Sequence, residues 1–189
     1  EAERLARDLN AQCVVHCSSA AVDTPGACLS ETSPTNPAGA YGRAKLAMEH
    51  ALSDMPEGPR RVLLRIGSVA GAESLFGNMQ PGHDLTLDRF SDGQGPFRSY
   101  IAPQDLARAI EALREHGHGT YNVAAPRPVR MQDIADAAGC VVNWRSAPVS
   151  ALQHVTLDTS RLQEICRLGP AASDPARLLA GARATGVWP

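Results

Sequence analysis

The chain has almost no net charge and no long apolar run. It carries 18 Lys and Arg against 20 Asp and Glu in 189 residues, which gives a formal charge of −2. That balance provides no electrostatic attraction to nucleic acid or to an anionic membrane surface. No segment stays apolar over the roughly 20 residues that a spanning helix needs, and no signal peptide is visible. We therefore expect no nucleic-acid partner, no membrane partner and a cytoplasmic location.

Paired cysteines are also missing. The five cysteines are an odd number, and none belongs to a Cys-x-x-Cys motif. Cys13 and Cys17 lie on one face of a predicted strand, too far apart to form a disulfide, whereas His16 lies on the other face. These three residues therefore do not predict a metal site. The pattern favours buried free thiols in a reducing compartment, with no metal.

Lysine is the scarcest charged residue. Lys45 is the only lysine, so the remaining 17 of the 18 Lys and Arg residues are arginines. It follows Tyr41 by four residues, a spacing that places both side chains on one face of a helix. A nearby cation favours the phenolate over the phenol and lowers the pKa of a tyrosine. The pair therefore predicts a tyrosine acting as a base near neutral pH, although an ordinary surface lysine fits the spacing equally well.

The sequence around this pair predicts alternating strands and a helix. Asn36-Pro37 is typical of a helix start, and an apolar pattern of helical period runs from there to Met55-Pro56, so we expect a helix over residues 37–55. The apolar runs 13–17 and 61–66 predict buried parallel strands. Ser18 and Ser19 follow the first run at a carboxyl end, where open α/β sheets bind their ligands. The alternative for the two serines is a turn that only ends the strand.

In this order, the motifs resemble an extended short-chain dehydrogenase/reductase of the NAD-dependent epimerase/dehydratase family. The blocks that carry the resemblance are residues 15–22, 31–34, 37–45, 64–71, 98–101, 105–107 and 120–123. The resemblance implies an α/β fold with a Rossmann-like parallel sheet and a smaller mixed α/β substrate-binding lobe. Residues 1–71 would form the C-terminal half of the dinucleotide-binding domain. Residues 72–189 would form mainly the substrate-binding lobe, with segments that return to the sheet.

The resemblance also implies roles for individual residues. Tyr41 would be the general acid/base on a sugar hydroxyl, Lys45 would hold the ribose of NAD or NADP, and Ser19 would hydrogen-bond the reacting oxygen. We expect Ser18 to contact the cofactor as well. Tyr41 and Lys45 would thus serve both catalysis and cofactor binding.

Three further residues are candidates for substrate binding. Arg98 matches an arginine that contacts the diphosphate of a nucleotide sugar in several family members, and a planar guanidinium suits that group. Ser68 stands where many members have a substrate-contacting asparagine. Arg89 lies in the loop-rich stretch 72–96 and is a candidate second contact for a phosphate or sugar, with a surface arginine as its alternative.

Other features depart from the family pattern. Ala20 and Ala21 replace the Asp-Glu pair that follows the catalytic residue in the dehydratases, which argues against sugar dehydration. No strand is followed by a Gly-rich turn and a helix, because 93–95 and 117–119 both lead into strands. We interpret this as the absence of roughly the first hundred residues of a family-like parent. The alternative is a naturally short protein, whose unpaired strand edges would need a partner or a second copy to cover them.

The leading hypothesis is an NAD(P)-dependent epimerase or reductase that acts on a nucleotide sugar or a related sugar. The competing hypothesis is a non-catalytic protein that binds a dinucleotide or a partner, or an inactive fragment. A homodimer through helix 37–55 is a further hypothesis, because Ala44, Ala47, Met48 and Ala51 offer small or flexible contacts; the alternative is that they pack inside one chain.

Overall fold

The computed structural model describes residues 1–186 and 188. Within this range the chain alternates short strands and helices. The helices are α1 (Ala2–Asp8), α2 (Ala40–Ser53), α3 (Ser74–Asn78), α4 (Pro103–His116), α5 (Met131–Ala137), α6 (Ser160–Ile165) and α7 (Pro175–Ala184). The strands are β1 (Cys13–Ser19), β2 (Arg60–Ile66), β3 (Ser68–Val69), β4 (Asp84–Arg89), β5 (Phe97–Arg98), β6 (Tyr100–Ile101), β7 (Gly119–Val123), β8 (Val129–Arg130), β9 (Val141–Ser146) and β10 (His154–Val155).

A parallel three-stranded sheet in the order β1-β2-β7 supports the first part of the chain. One face of its central strand is apolar and packs into the core through Val62, Leu64 and Ile66, whereas Arg65 lies on the other face. Leu64 lies at its centre, opposite Cys17 on β1 and Tyr121 on β7. This arrangement confirms the predicted α/β class with a parallel, Rossmann-like sheet.

The smaller sheets lie in the later part of the chain. Strand β4 pairs in parallel with β9, β3 pairs with β6, and β5 lies between β10 and β8. A separate apolar core fills this part, centred on fully buried side chains of α3, α5, α7 and β6. The boundary after residue 71 stays a prediction, and β7 returns to the main sheet as expected of a segment from the second half.

Two predicted boundaries differ from the structure. Helix α2 begins at Ala40 rather than at residue 37, because the chain is still extended at Gly39, with φ −123° and ψ 166°. The stretch 72–96 is not only loop, since it contains α3 and β4. Strand β4 buries Leu85 and Leu87 and exposes Thr86, which is the alternation of a half-buried strand.

The prediction that the thiols are buried holds only in part. All five cysteines are free; Cys140 and Cys166 are buried, but Cys17 and Cys28 are exposed. In the described residues no cluster of His, Cys, Asp or Glu has the makings of a metal site. His16 instead contacts Glu3, with 2.8 Å between Nε2 and Oε1. Over the same residues, no helix is both long and apolar enough to cross a membrane.

At Gly42, helix α2 packs closely against the turn after β1. A Cβ atom at this position would lie 2.1 Å from the carbonyl oxygen of Ala21 and 2.7 Å from Cβ of Pro37. Because the first of these neighbours is backbone, the contact cannot be relieved by a rotamer change. Gly42 therefore lets the start of α2 approach the end of β1.

We predict that Gly42→Ala lowers the free energy of unfolding by about 2 to 3 kcal/mol, as overpacking of a closed contact does. Gly77→Ala is the matched control, because a Cβ atom at this helical position meets nothing within 4 Å. The control should gain up to about 1 kcal/mol from helix propensity. Urea unfolding of both variants checks this, and equal stability of the two would contradict the packing argument.

Candidate active site

One cavity of about 570 Å³ lies at the carboxyl ends of β1 and β2, between the start of α2 and strand β5. Polar side chains from four separate stretches of the chain meet around it. Six of the residues predicted from the sequence line this cavity: Ser18, Ser19, Tyr41, Lys45, Ser68 and Arg98. The position agrees with the rule that open α/β sheets bind ligands beyond the carboxyl ends of their strands.

Tyr41 and Lys45 lie one turn apart near the start of α2, as their spacing predicts. The ammonium of Lys45 lies 5.7 Å from the centre of the Tyr41 ring. The same ammonium donates a hydrogen bond of 2.8 Å to the carbonyl oxygen of Cys17 on β1. The lysine thus joins the helix to the strand end and places a positive charge beside the phenol. Tyr41 is 60% exposed and faces open space in the cavity.

Ser19 is the last residue of β1. Its Oγ accepts a hydrogen bond of 3.2 Å from the backbone N–H of Ala21, which opens the short 3-10 helix Ala20–Val22. A serine hydroxyl that accepts one hydrogen bond can still donate its own hydrogen. Ser19 is therefore able to donate to an oxygen of a ligand in the cavity.

Ser18 has a different environment from its neighbour, because successive residues of a strand face opposite sides. Its side chain is buried, and its hydroxyl donates to Oε1 of Glu49 on α2. The structure places this hydroxyl in a buried polar network, and the predicted contact of Ser18 with a cofactor stays a prediction.

Arg65 on β2 is the centre of that network. Its guanidinium contacts Oε2 of Glu49 at 2.8 Å and Oδ1 of Asp23 at 2.9 Å, and all three side chains are buried. Burial lowers the pKa of Arg65, but the hydrogen bonds to Glu49 and the charges of Glu49 and Asp23 outweigh it, so the pKa is raised. The ion pairs connect α2, β2 and the turn after β1 at one point.

Asp23 is the charged member of the network that lines the cavity, beside Ser18. Burial, together with the charges of Glu49 and Glu31, raises the pKa of its carboxyl to about 6, although the charge of Arg65 opposes this shift. Its second oxygen, Oδ2, has no hydrogen-bond partner among the described residues. Sequence analysis missed this residue, although a charged Arg65 inside an apolar strand signals that buried carboxylates lie nearby.

The three residues predicted to bind substrate lie in different places. Ser68 on β3 lines the cavity, and so does Arg98 on β5. The guanidinium of Arg98 donates to three backbone carbonyls, and burial lowers its pKa. Arg89 does not line the cavity, because it ends strand β4 and stacks over Trp144 at 4.6 Å. Its predicted contact with a phosphate or sugar has no support from this position.

Glu73 is a second cavity residue that sequence analysis missed. It is the N-cap of α3, and its Oε2 accepts a hydrogen bond of 3.0 Å from the backbone N–H of Leu75. The buried hydroxyl of Tyr100 lies 3.4 Å from Oε1. Burial raises the pKa of the Glu73 carboxyl, although these hydrogen bonds oppose the shift. Carboxylates often cap helices, so this residue type in sequence does not by itself predict a site. Here the cap residue also lines the cavity.

The donors in the cavity suit one end of a nicotinamide dinucleotide. Lys45 and Tyr41 offer an ammonium and a hydroxyl for ribose hydroxyls, and the parallel strand ends lie where such cofactors bind. Within the described residues, the glycines at 93–95 and 117–119 lie before strands and form no strand-turn-helix unit. The residues present therefore fit the nicotinamide ribose, and they identify no site for the pyrophosphate.

Comparison with known families gives one match over most of the chain. The sequence profile of the NAD dependent epimerase/dehydratase family matches residues 3–124. That range contains the strands of the main sheet, helix α2 and the residues of the cavity except those from the last third of the chain. A comparison with curated proteins gives no match.

Solved structures of similar fold are longer than this chain. UDP-glucose 4-epimerase from Brucella ovis, in complex with NAD, has a TM-score of 0.75 and 24% identity, over 96% of this chain and 67% of that one. A short-chain dehydrogenase/reductase superfamily protein from Agrobacterium tumefaciens with bound NAD has a TM-score of 0.74 and 19% identity, over 97% and 70%. UDP-N-acetylglucosamine 4-epimerase from Methanobrevibacter ruminantium has a TM-score of 0.72 and 19% identity, over 94% and 64%. At these identities the likeness establishes the fold.

We predict that Asp23 makes the stability of the protein depend on pH. The ordinary pKa of its carboxyl is 3.8 and the folded value is about 6, so between these values the folded state keeps a proton that the unfolded state has released. The stabilisation is complete below about pH 3.8 and is lost as the pH rises through about 6. At about 1.4 kcal/mol per pKa unit, the loss is on the order of 3 kcal/mol.

Urea unfolding of the wild type and of Asp23→Asn, from about pH 4 to about pH 7.5, measures this difference. The wild type should lose stability relative to the variant across that range. Asp8→Asn on the exposed face of α1 controls for the removal of one negative charge. Parallel pH profiles for wild type and Asp23→Asn would show that the carboxyl titrates normally.

Proposed function

Since the chain belongs to the NAD dependent epimerase/dehydratase family, we propose that it is an NAD(P)-dependent epimerase or reductase acting on a nucleotide sugar or a related sugar. The observation that carries this proposal is the meeting of Ser19, Tyr41 and Lys45 around one cavity at the carboxyl edge of a parallel sheet. These three residue types provide a hydrogen-bond donor, a proton acceptor and a cation, which together suit the oxidation of an alcohol.

The phenol of Tyr41 is the group that exchanges a proton with the substrate hydroxyl. It is exposed to the cavity, so a ligand hydroxyl can reach it without a change of fold. Ser19 donates a hydrogen bond to the same oxygen as the carbon–oxygen bond gains double-bond character. Lys45 places its ammonium 5.7 Å from the centre of the Tyr41 ring and holds α2 against β1 through the carbonyl of Cys17.

NAD or NADP, when bound, supplies the hydride acceptor for this oxidation, and the family is NAD dependent by its description. Tyr41 and Lys45 are the residues that would hold the nicotinamide ribose. The proposed activity requires a complete cofactor site, including the part that binds the pyrophosphate.

The substrate class is supported by the structures of similar fold, whose names include epimerases for UDP-glucose and UDP-N-acetylglucosamine. Dehydration is disfavoured, because Ala20 and Ala21 follow Ser19 and neither side chain can carry a proton. An epimerase returns the hydride to the oxidised sugar before the product leaves, whereas a reductase releases its product after a single hydride transfer.

The free thiols support the further proposal of a reducing, cytoplasmic setting.

We predict that Tyr41→Phe lowers kcat by at least about 100-fold, because general acid/base catalysis typically contributes that much. Affinity for the cofactor should change little, since Lys45 remains. Tyr121→Phe is the matched control, because this tyrosine lies on β7 and its hydroxyl accepts a hydrogen bond from the backbone of His118.

The assay follows both reduction of NAD or NADP and interconversion of sugar epimers over a panel of UDP-sugars and free sugars, because an epimerase leaves no net reduced cofactor. Calorimetric titration measures binding of the two cofactors. Full turnover by Tyr41→Phe would reject the assigned base. If neither NAD nor NADP binds, only a scaffold or an inactive fragment remains as an interpretation.

We also propose a homodimer through α2. Ala44, Ala47 and Ala51 are exposed on this helix, and Met48 is half-buried beside them. Small side chains on an exposed helical face allow two helices to pack closely.

Light scattering at micromolar concentration should give about twice the mass of one chain for the wild type, and the mass of one chain for Ala47→Arg. Two arginines brought into a close helix contact would be buried without partners. Ala107→Arg is the control, because Ala107 is exposed on α4. A monomeric wild type would contradict the proposal.

A further inference from the structure

Glu73 and Arg98 stand apart from the Ser19, Tyr41 and Lys45 group, on the wall of the cavity formed by α3 and β5. One is an acid and the other a base, yet in the described residues Arg98 forms no ion pair with Glu73 or with any other carboxylate. Its guanidinium donates instead to the carbonyl oxygens of Phe97 at 2.7 Å, Gln153 at 3.0 Å and Leu152 at 2.8 Å.

Arg98 therefore keeps N–H groups that can donate hydrogen bonds to a ligand. A guanidinium has five N–H donors, and the hydrogen bonds among the described residues use three of them. These three bonds go to neutral carbonyls, so the positive charge itself is not compensated by a contacting carboxylate. The fixed position of the guanidinium gives the cavity wall a defined donor.

Glu73 is the matching acceptor. Its closest hydrogen bond is the one from the N–H of Leu75 at 3.0 Å, and the N–H of Phe76 and the hydroxyl of Tyr100 both lie at 3.4 Å. All of these partners are neutral donors, and a carboxylate has about four lone-pair sites. Glu73 and Arg98 line the same cavity, and the negative charge of Glu73 opposes the burial that lowers the pKa of Arg98.

We propose that Glu73 determines the charge class of the substrate: this end of the cavity accepts an uncharged, hydroxyl-bearing group that bridges Glu73 and Arg98, and it disfavours a diphosphate. A sugar hydroxyl can donate to a carboxylate and accept from a guanidinium at the same time. A diphosphate placed against Arg98 would bring two or more negative charges towards the half-buried carboxylate of Glu73, which is unfavourable because like charges repel more strongly where solvent is partly excluded. The inference rests on the proposed function, since it takes this cavity as the substrate site, and it selects a sugar without the nucleotide diphosphate.

The alternative is that Glu73 only caps α3. A cap contributes to stability but does not discriminate between ligands of different charge. The two possibilities therefore differ in ligand affinity rather than in unfolding.

The test is the binding of two probes that share a sugar ring, UDP-glucose and methyl glucoside, to the wild type and to Glu73→Gln without added NAD. We expect Glu73→Gln to bind UDP-glucose at least about 10-fold more tightly than the wild type, because removal of one like charge at short range is worth that much or more. Affinity for methyl glucoside should stay equal or fall. A gain for UDP-glucose below about 10-fold, or an equal gain for both probes, overturns the proposal.

Two further variants control this experiment. Glu111→Gln makes the same chemical change on the exposed face of α4 and should leave both affinities unchanged. Glu73→Ser keeps a good N-cap residue while removing the charge, so it replaces Glu73→Gln if that variant does not fold. The proposed function fails separately, through loss of cofactor binding or full activity of Tyr41→Phe, neither of which depends on Glu73.

Discussion

The contact of Arg65 with Glu49 and Asp23 is the interaction on which the position of the site depends. It joins the central strand, the helix that carries Tyr41 and Lys45, and the turn that follows Ser19. Buried charges are costly to bring out of water, and removal of one partner from such a pair typically costs about 3 to 5 kcal/mol. The cluster therefore permits few arrangements of these three elements. Glu49 lies four residues after Lys45, so its contact with Arg65 also sets the rotation of α2 and brings Lys45 to the carbonyl of Cys17.

Much of this fold is predictable from local patterns. The strands around Val15 and Leu64 and the helix around Ala47 follow directly from apolar period and flanking residues. Strand β4 was missed because Gly and Pro surround it and because its alternation covers only six residues. The predicted start of α2 is too early, since Asn36-Pro37 is a good local start signal but the chain is still extended at Gly39.

The candidate site likewise contains residues that local sequence predicts and residues that only the folded chain brings together. Tyr41, Lys45 and Ser19 are found from spacing and from their position after a strand, because the geometry of one helix and one strand end is local. Glu73 and Asp23 were missed, because their importance comes from a shared cavity and not from neighbours in sequence. Arg89 lies in a stretch expected to cover the substrate, yet it stacks on Trp144, which is distant in sequence, and its contact with a phosphate or sugar stays a prediction.

The segment between β1 and α2 is held by residues near the end of the chain. Leu29 forms a bridge with Leu157, and the N–H of Cys28 donates to Thr156, which lies 128 positions further along. Contacts between such distant positions carry a large loop-closure entropy and form slowly. During synthesis the polypeptide must therefore extend beyond Leu157 before this segment can close, so the cavity is completed late, after the sheet and the helix that frame it.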